Sequence, residues 1–217
     1  MKKLLAVLLL AGACATTTGA KREAPVSTVG RAFHSTVTLE NSIGEVFCSG
    51  VIVEGVVLTA WHCTDHDMTI FIGSLGTRWE AKRFRVDRKN DLAVLVPVDG
   101  RDLPRGVKLA RKAPTWADDV WVIGHPLGTY EYSITKGIVS HPRRENGIFG
   151  GLWLQHDAPT LGGNSGGPVL NKRGRLVGIT SFGVLNGVYC VVSCAGVYQD
   201  THLAGAVHLD PIRALLR

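Results

Sequence analysis

A chain of 217 residues, 45% hydrophobic and 19% charged, is long enough to bury a substantial core and too apolar to stay disordered. Its formal net charge is +6, of which Lys2 and Lys3 contribute two, leaving +4 once the first segment is set aside. No run of Lys or Arg exceeds two residues, which argues for a solvated basic face and against a nucleic-acid surface.

Met1-Lys2-Lys3 is a short positive region, followed by the purely apolar Leu4 to Leu10 and the small residues Ala11-Gly12-Ala13. Residues 1–13 therefore read as an export signal, too short for a membrane anchor. Cys14 follows at once, and the segment resembles a lipobox, where bacteria attach lipid to cysteine. Ala11 departs from the usual Leu, so plain cleavage after Ala13, Ala15 or Ala20 is the alternative. The protein is expected in a bacterial periplasm or cell envelope, held there through lipidated Cys14, or secreted. Residues 15–29, rich in Thr, Ala and small polar residues, read as a tether.

The chain holds 26 glycines, and beyond the tether they cluster at turns between short apolar runs, a pattern that favours strands over long helices. The runs Val37–Leu39, Val46–Val53, Val56–Ala60, Met68–Ile72, Trp79–Val86 and Leu92–Val96 form a first set of expected strands. Pro97 to Pro114 is polar and proline-punctuated, a connector. A second set follows at Val120–Ile123, Tyr130–Val139, Leu152–His156, Pro168–Leu170, Leu176–Phe182 and Gly205–Leu209. Asp210-Pro211 then opens a short helix, with Asp as N-cap and Pro at the first helical position. The expected fold is all-β: two antiparallel six-stranded β-barrels, over 30–104 and 114–217, joined by a connector at 105–113 and closed by a C-terminal helix.

Five cysteines are an awkward number for an exported chain. Lipidation of Cys14 would leave two nearby pairs, Cys48 with Cys63 and Cys190 with Cys194, which an oxidising compartment would let close. The first pair would tie the strand around Cys48 to the loop carrying His62; the second would brace a local loop, unless both are simply buried thiols. A metal site from Cys48, His62, Cys63 and His66 lacks a usual zinc spacing, so no metal is expected.

Three segments carry chemistry in a fixed order: Thr59-Ala60-Trp61-His62-Cys63, Asn90-Asp91-Leu92-Ala93-Val94-Leu95, and Gly162-Gly163-Asn164-Ser165-Gly166-Gly167-Pro168-Val169. They supply the parts of a nucleophilic triad. A serine hydroxyl attacks poorly at neutral pH, so Ser165 needs a neighbouring base. His62 suits that role because imidazole titrates near the working pH, and Asp91 would hold its tautomer. An oxyanion hole would be formed by the backbone N–H groups of Gly163 and Ser165. The octet around Ser165 also fits the Gly-x-Ser-x-Gly elbow of α/β-hydrolases, but Pro168 opposes the helix that elbow requires. Only 52 residues follow Ser165, too few for the remaining triad members and fold of such an esterase.

From about Ser35 to Leu216 the chain resembles the chymotrypsin-fold serine proteases, and most closely the high-temperature-requirement (Deg) branch. The likeness rests on Ser49-Gly50-Val51-Ile52-Val53, Leu58-Thr59-Ala60 before His62, and Asp91-Leu92-Ala93-Val94-Leu95. Ile123-Gly124-His125-Pro126-Leu127-Gly128 is similar to that branch's Gly-Asn-Pro-aromatic-Gly segment, and Thr135-Lys136-Gly137-Ile138-Val139-Ser140 to its Thr-x-Gly-Ile-Val-Ser strand. Gly205-Ala206-Val207-His208-Leu209 looks like the closing strand of glutamyl endopeptidases, and no PDZ module is expected after it.

The resemblance implies a serine endopeptidase, working through an acyl-enzyme without metal or organic cofactor, on protein or peptide substrates and as a monomer. By family position Pro159 sits at the base of the primary specificity pocket, where trypsins carry Asp, which disfavours cleavage after Lys or Arg. Thr160, Thr180, Ser181, Phe182 and Gly183 would line the rest, with His208 as a further element. Small or medium apolar side chains are the first expected preference and acidic ones the second. Asn164 stands where activatable digestive proteases carry the Asp that pairs with a newly cut N-terminus, so no activation of that kind is expected. The rival is a scaffold that keeps the fold without activity; such proteins usually lose a triad residue or oxyanion glycine, and both are present here.

Overall fold

The computed structural model describes residues 28–65, 69–74, 76–129, 132–146, 150–185, 188–190 and 200–217, with 184–185, 188–190 and 200–202 described by backbone alone. The lipobox at Cys14, the signal, most of the tether, His66 and Cys194 lie outside the described residues. So does the side chain of Cys190.

Six strands close the first barrel: β1 (Thr36–Glu40), β2 (Val46–Val53), β3 (Val56–Thr59), β4 (Ile70–Ser74), β5 (Thr77–Asp87) and β6 (Leu92–Pro97). They pair in the order β1-β2-β3-β6-β5-β4, with β1 antiparallel to β4 at the seam. Alternation explains the burial on β5, where Trp79 and Ala81 face inward between exposed neighbours. On β2 and β6 the apolar runs are buried on both faces, because a second barrel covers the outside.

That second barrel comprises β7 (Asp119–Gly124), β8 (Ser133–Arg144), β9 (Trp153–His156), β10 (Pro168–Asn171), β11 (Leu176–Leu185) and β13 (Asp200–His208). The order β10-β7-β8-β9-β13-β11 closes through a β10–β11 pairing. A short extra strand, β12 (Val188–Cys190), hangs on the end of β11. The connector makes isolated bridges only, Val53 to Gly106 and Val107, and Leu109 to Leu176. The expected fold is the one observed, with β12 and the full length of β8 as additions.

Each barrel has its own interior, Leu39, Ile72 and Leu95 in the first and Val122, Leu154 and Ala206 in the second. A third cluster joins them: Val51, Leu58, Leu92 and Val94 meet Ile123, Leu170 and Ile179. The helix α1 (Leu209–Leu216) seals that seam through Ile212. Its N-cap is His208, whose ring Nδ1 accepts a hydrogen bond from the Asp210 N–H at 3.2 Å. The expected cap, Asp210, lies inside the first turn, where its charge suits the helix dipole.

Candidate active site

Asp91 ends the turn that leads into β6, with φ of +52°, a left-handed conformation that Asp adopts more readily than most side chains. Its carbonyl accepts the Trp61 N–H at 3.1 Å, which draws the next turn, Trp61–Cys63, over the Asp91 carboxylate. There the backbone N–H of His62 donates to Oδ1 at 2.9 Å, and the His62 ring Nδ1 lies 3.0 Å from Oδ1 and 2.9 Å from Oδ2. A third donor arrives from the other barrel: the Ser181 hydroxyl on β11 bonds Oδ2 at 2.5 Å. Asp91 is 1% exposed, so these bonds replace the water it has lost. A nitrogen facing a carboxylate carries the proton, which leaves the His62 lone pair on Nε2.

Cys48 and Cys63 are joined in a disulfide with Cα atoms 6.1 Å apart, tying the His62 turn to β2. Both sulfurs are thereby committed, and the thiolates a zinc site would need from Cys48 and Cys63 are gone.

Ser165 stands in the loop before β10, buried beside the barrel seam. Its carbonyl accepts the Ser49 N–H at 2.8 Å and lies 3.8 Å from Cys63 Sγ, so the Ser165 loop faces the His62 turn. The peptides around it are each held: Asn164 N–H to Leu161 O at 3.1 Å, Gly166 N–H to Thr180 O at 2.8 Å, and Gly167 N–H to Asn164 O at 2.9 Å. Gly163 has φ of +93°, and a Cβ there would sit 2.3 Å from the His125 carbonyl. Both facts require glycine.

The residues expected to line a specificity pocket divide. Thr160 and Gly183 come together, the Thr160 carbonyl lying 3.3 Å from where a Gly183 Cβ would be. Pro159 is exposed, and its carbonyl takes the Thr135 hydroxyl at 2.8 Å. Thr180 is fully buried on β11, its hydroxyl without a hydrogen-bond partner among the described residues. Three others are engaged elsewhere. Ser181 turns its hydroxyl to Asp91, Phe182 lays its ring over Gly205 and against Trp153 at 4.9 Å, and His208 caps α1. The reason is strand alternation with a register shift between Thr180 and Phe182, which sends neighbouring side chains to different surroundings. Nothing in the sequence singled out Ser181 as a partner of Asp91, because the two are 90 residues apart.

Two further histidines are buried. Burial lowers His125 to about 4, opposed by the charge of Glu40. It lowers His156, wholly inside the second barrel, to about 4 as well.

Residues 48–179 match the model of the trypsin-like peptidase domain. The chain belongs to that family. Among curated relatives it is 34% identical over 145 residues to the chloroplastic protease Do-like 2 of Arabidopsis thaliana, a match covering 64% of this chain and 23% of the relative. It is 39% identical over 142 residues to a probable periplasmic DegP-like serine endoprotease of Pseudomonas savastanoi, covering 61% and 28%. The match thus spans well under half the length of these relatives. Among solved structures, the HtrA-type protease AlgW with a tripeptide superposes with a TM-score of 0.71 at 26% identity, over 88% of this chain and 61% of that one. The inactive form of the Rv3671c protease shares the fold, with a TM-score of 0.67 at 17% identity over 88% and 91%.

Proposed function

We propose that this chain is an exported serine endopeptidase in which Ser165 is the nucleophile, His62 the general base and Asp91 the group that orients and stabilises it. The observation that carries the reading is the buried Asp91 carboxylate receiving both the backbone N–H and the ring Nδ1 of His62, in a chain of the trypsin-like peptidase family. A carboxylate so placed suits the task of holding an imidazole with its basic nitrogen turned away.

Ser165 Oγ attacks the carbonyl carbon of the scissile peptide while its proton passes to His62 Nε2. The carbonyl oxygen becomes an oxyanion, met by the N–H groups of Gly163 and Ser165. Collapse expels the amine, which takes the proton from His62 and leaves Ser165 acylated. Water then repeats the sequence, its proton going to His62 and returning to Ser165 as the acid departs. Each step uses the chain's own groups.

Protein or peptide chains are the substrates this reading assigns, with a small or medium apolar side chain before the cut bond, since Pro159 brings no carboxylate to a basic one. The periplasmic description of the DegP-like relatives and the apolar leader with Cys14 support export to the envelope. Digestion of denatured casein by protein lacking residues 1–20 tests the activity. Wild type should cleave it and Ser165→Ala should not; cleavage that survives the substitution would refute the assignment.

A further inference from the structure

Ser49 is a residue of the first barrel that grips the second on both sides of Asn164. Its backbone N–H takes the Ser165 carbonyl at 2.8 Å, and its hydroxyl donates to the Gly163 carbonyl at 2.7 Å. The same hydroxyl oxygen lies 3.0 Å from the His125 backbone N–H and 3.2 Å from the His125 ring Nδ1. A hydroxyl has one proton and two lone pairs. Because the Gly163 carbonyl can only accept, the proton goes there, and both His125 groups must donate. His125 is thereby fixed as the Nδ1–H tautomer, and burial keeps the ring neutral at working pH.

The consequence falls on the peptides that carry the oxyanion donors. The Gly162 carbonyl accepts the Leu127 N–H at 2.6 Å, which orients the Gly162–Gly163 peptide and hence the Gly163 N–H. The Asn164 carbonyl accepts the Gly167 N–H at 2.9 Å, which does the same for the Ser165 N–H. Between them lies the Gly163–Asn164 peptide, whose carbonyl is held by Ser49. Leu161 O takes the Asn164 N–H of that peptide at 3.1 Å from within the loop, Ser49 holds its carbonyl from the other barrel, and glycine at 163 adds no side-chain restraint of its own. At Gly124 a Cβ would stand 2.5 Å from Asn164 Oδ1 and 3.1 Å from Ser49 Oγ, so the strand before His125 also closes on this loop.

We propose that Ser49 and His125 are positioning residues for the oxyanion hole: His125 directs the Ser49 hydroxyl, and that hydroxyl holds the Gly163 carbonyl, fixing the turn at Gly163 between the two peptides that carry the oxyanion donors. The proposal rests on the peptidase reading above. Neither residue touches substrate. Chain order hides the arrangement, because Ser49 and His125 are 76 residues apart and come from different barrels.

The test is the concentration dependence of labelling by a fluorophosphonate, whose phosphonyl oxygen needs the same N–H groups. It gives a saturating rate and a half-saturating concentration separately. Ser49→Ala and His125→Leu should each slow the saturating rate by about 10–100-fold, bounded by the ~10²–10³ that loss of a whole oxyanion donor costs. The half-saturating concentration should move less than threefold. His125→Asn, whose amide supplies an N–H toward Ser49, should restore most of the rate. Leu154→Ala, a core truncation in the same barrel, serves as a control for general destabilisation. Unchanged rates in wild-type-like Ser49→Ala and His125→Leu would overturn the proposal, as would an equal slowing by Leu154→Ala at matched melting temperature, or no rescue by His125→Asn. Failure of the wild type itself to label would instead overturn the peptidase reading, and this proposal with it.

Discussion

The two sides of Ser165 are built differently. Toward the His62 turn, polar groups are tied to one another across the seam: Asp91 takes three donors, and Ser49 bonds Gly163, Ser165 and His125. Toward the expected pocket, packing of Phe182 against Gly205 and Trp153 joins local hydrogen bonds to the Pro159 and Ala158 carbonyls, and the buried Thr180 hydroxyl has no hydrogen-bond partner among the described residues. A hydrogen bond prescribes direction as well as distance, and chemistry at a single oxygen needs both. A pocket that accepts side chains needs shape, which apolar contact supplies.

The largest expected effect lies on the polar side. Asp91→Asn keeps the shape of the side chain but presents an amide to His62, which favours the wrong tautomer. Casein cleavage should fall by about 10⁴-fold with little change in melting temperature. A loss smaller than about tenfold would show that Asp91 is only a structural anchor.

A second effect concerns His156, fully buried on β9, where burial outweighs the charge of Asp157 and the backbone of Ala158 that favour its protonation. Its folded value is pushed from 6.5 to about 4 by burial, so between those values the unfolded chain binds a proton that the folded chain refuses. Stability should therefore decline as pH falls through that window, by about 3 kcal/mol from this group once pH drops below its folded value. His125 and His208 are lowered in the same direction and should steepen the fall. Urea unfolding between pH 7 and pH 4 measures the slope, and His156→Leu should flatten it. An unchanged slope would mean that His156 is protonated alike in both states.

The smallest effect is on the packed side. Thr180→Val removes a buried hydroxyl without a hydrogen-bond partner among the described residues, and such a loss should be neutral or stabilising by up to about 1 kcal/mol. Destabilisation by more than that in thermal melts would show that the hydroxyl has a partner after all.

Legibility in the sequence follows the same division. Strand β2 was readable to the residue, because an apolar run ends at the Glu54-Gly55 turn, and β6 nearly so. The far end of β8 was not: it carries Pro142 and two register shifts, and sequence alone does not distinguish an irregular edge from a turn. Of the candidate site, His62, Asp91 and Ser165 stood out because each lies in a local motif. Ser49 and His125 lie in segments that carry the family likeness, and Ser181 among the expected pocket residues, but no local pattern names the partners they meet. Their parts are defined by partners 76 to 114 residues away, which only closure of both barrels brings together. His208, expected as a pocket element by its place in the closing strand, sits where a helix begins, and its ring caps that helix.

In the proposed mechanism His62, Asp91 and Ser165 act as one nucleophilic unit. Peptide mapping by mass spectrometry after fluorophosphonate treatment checks this unit. A single phosphonyl adduct should appear on Ser165, and His62→Ala should abolish it. An adduct on any other residue, or one on Ser165 that forms at the same rate without His62, would contradict that mechanism.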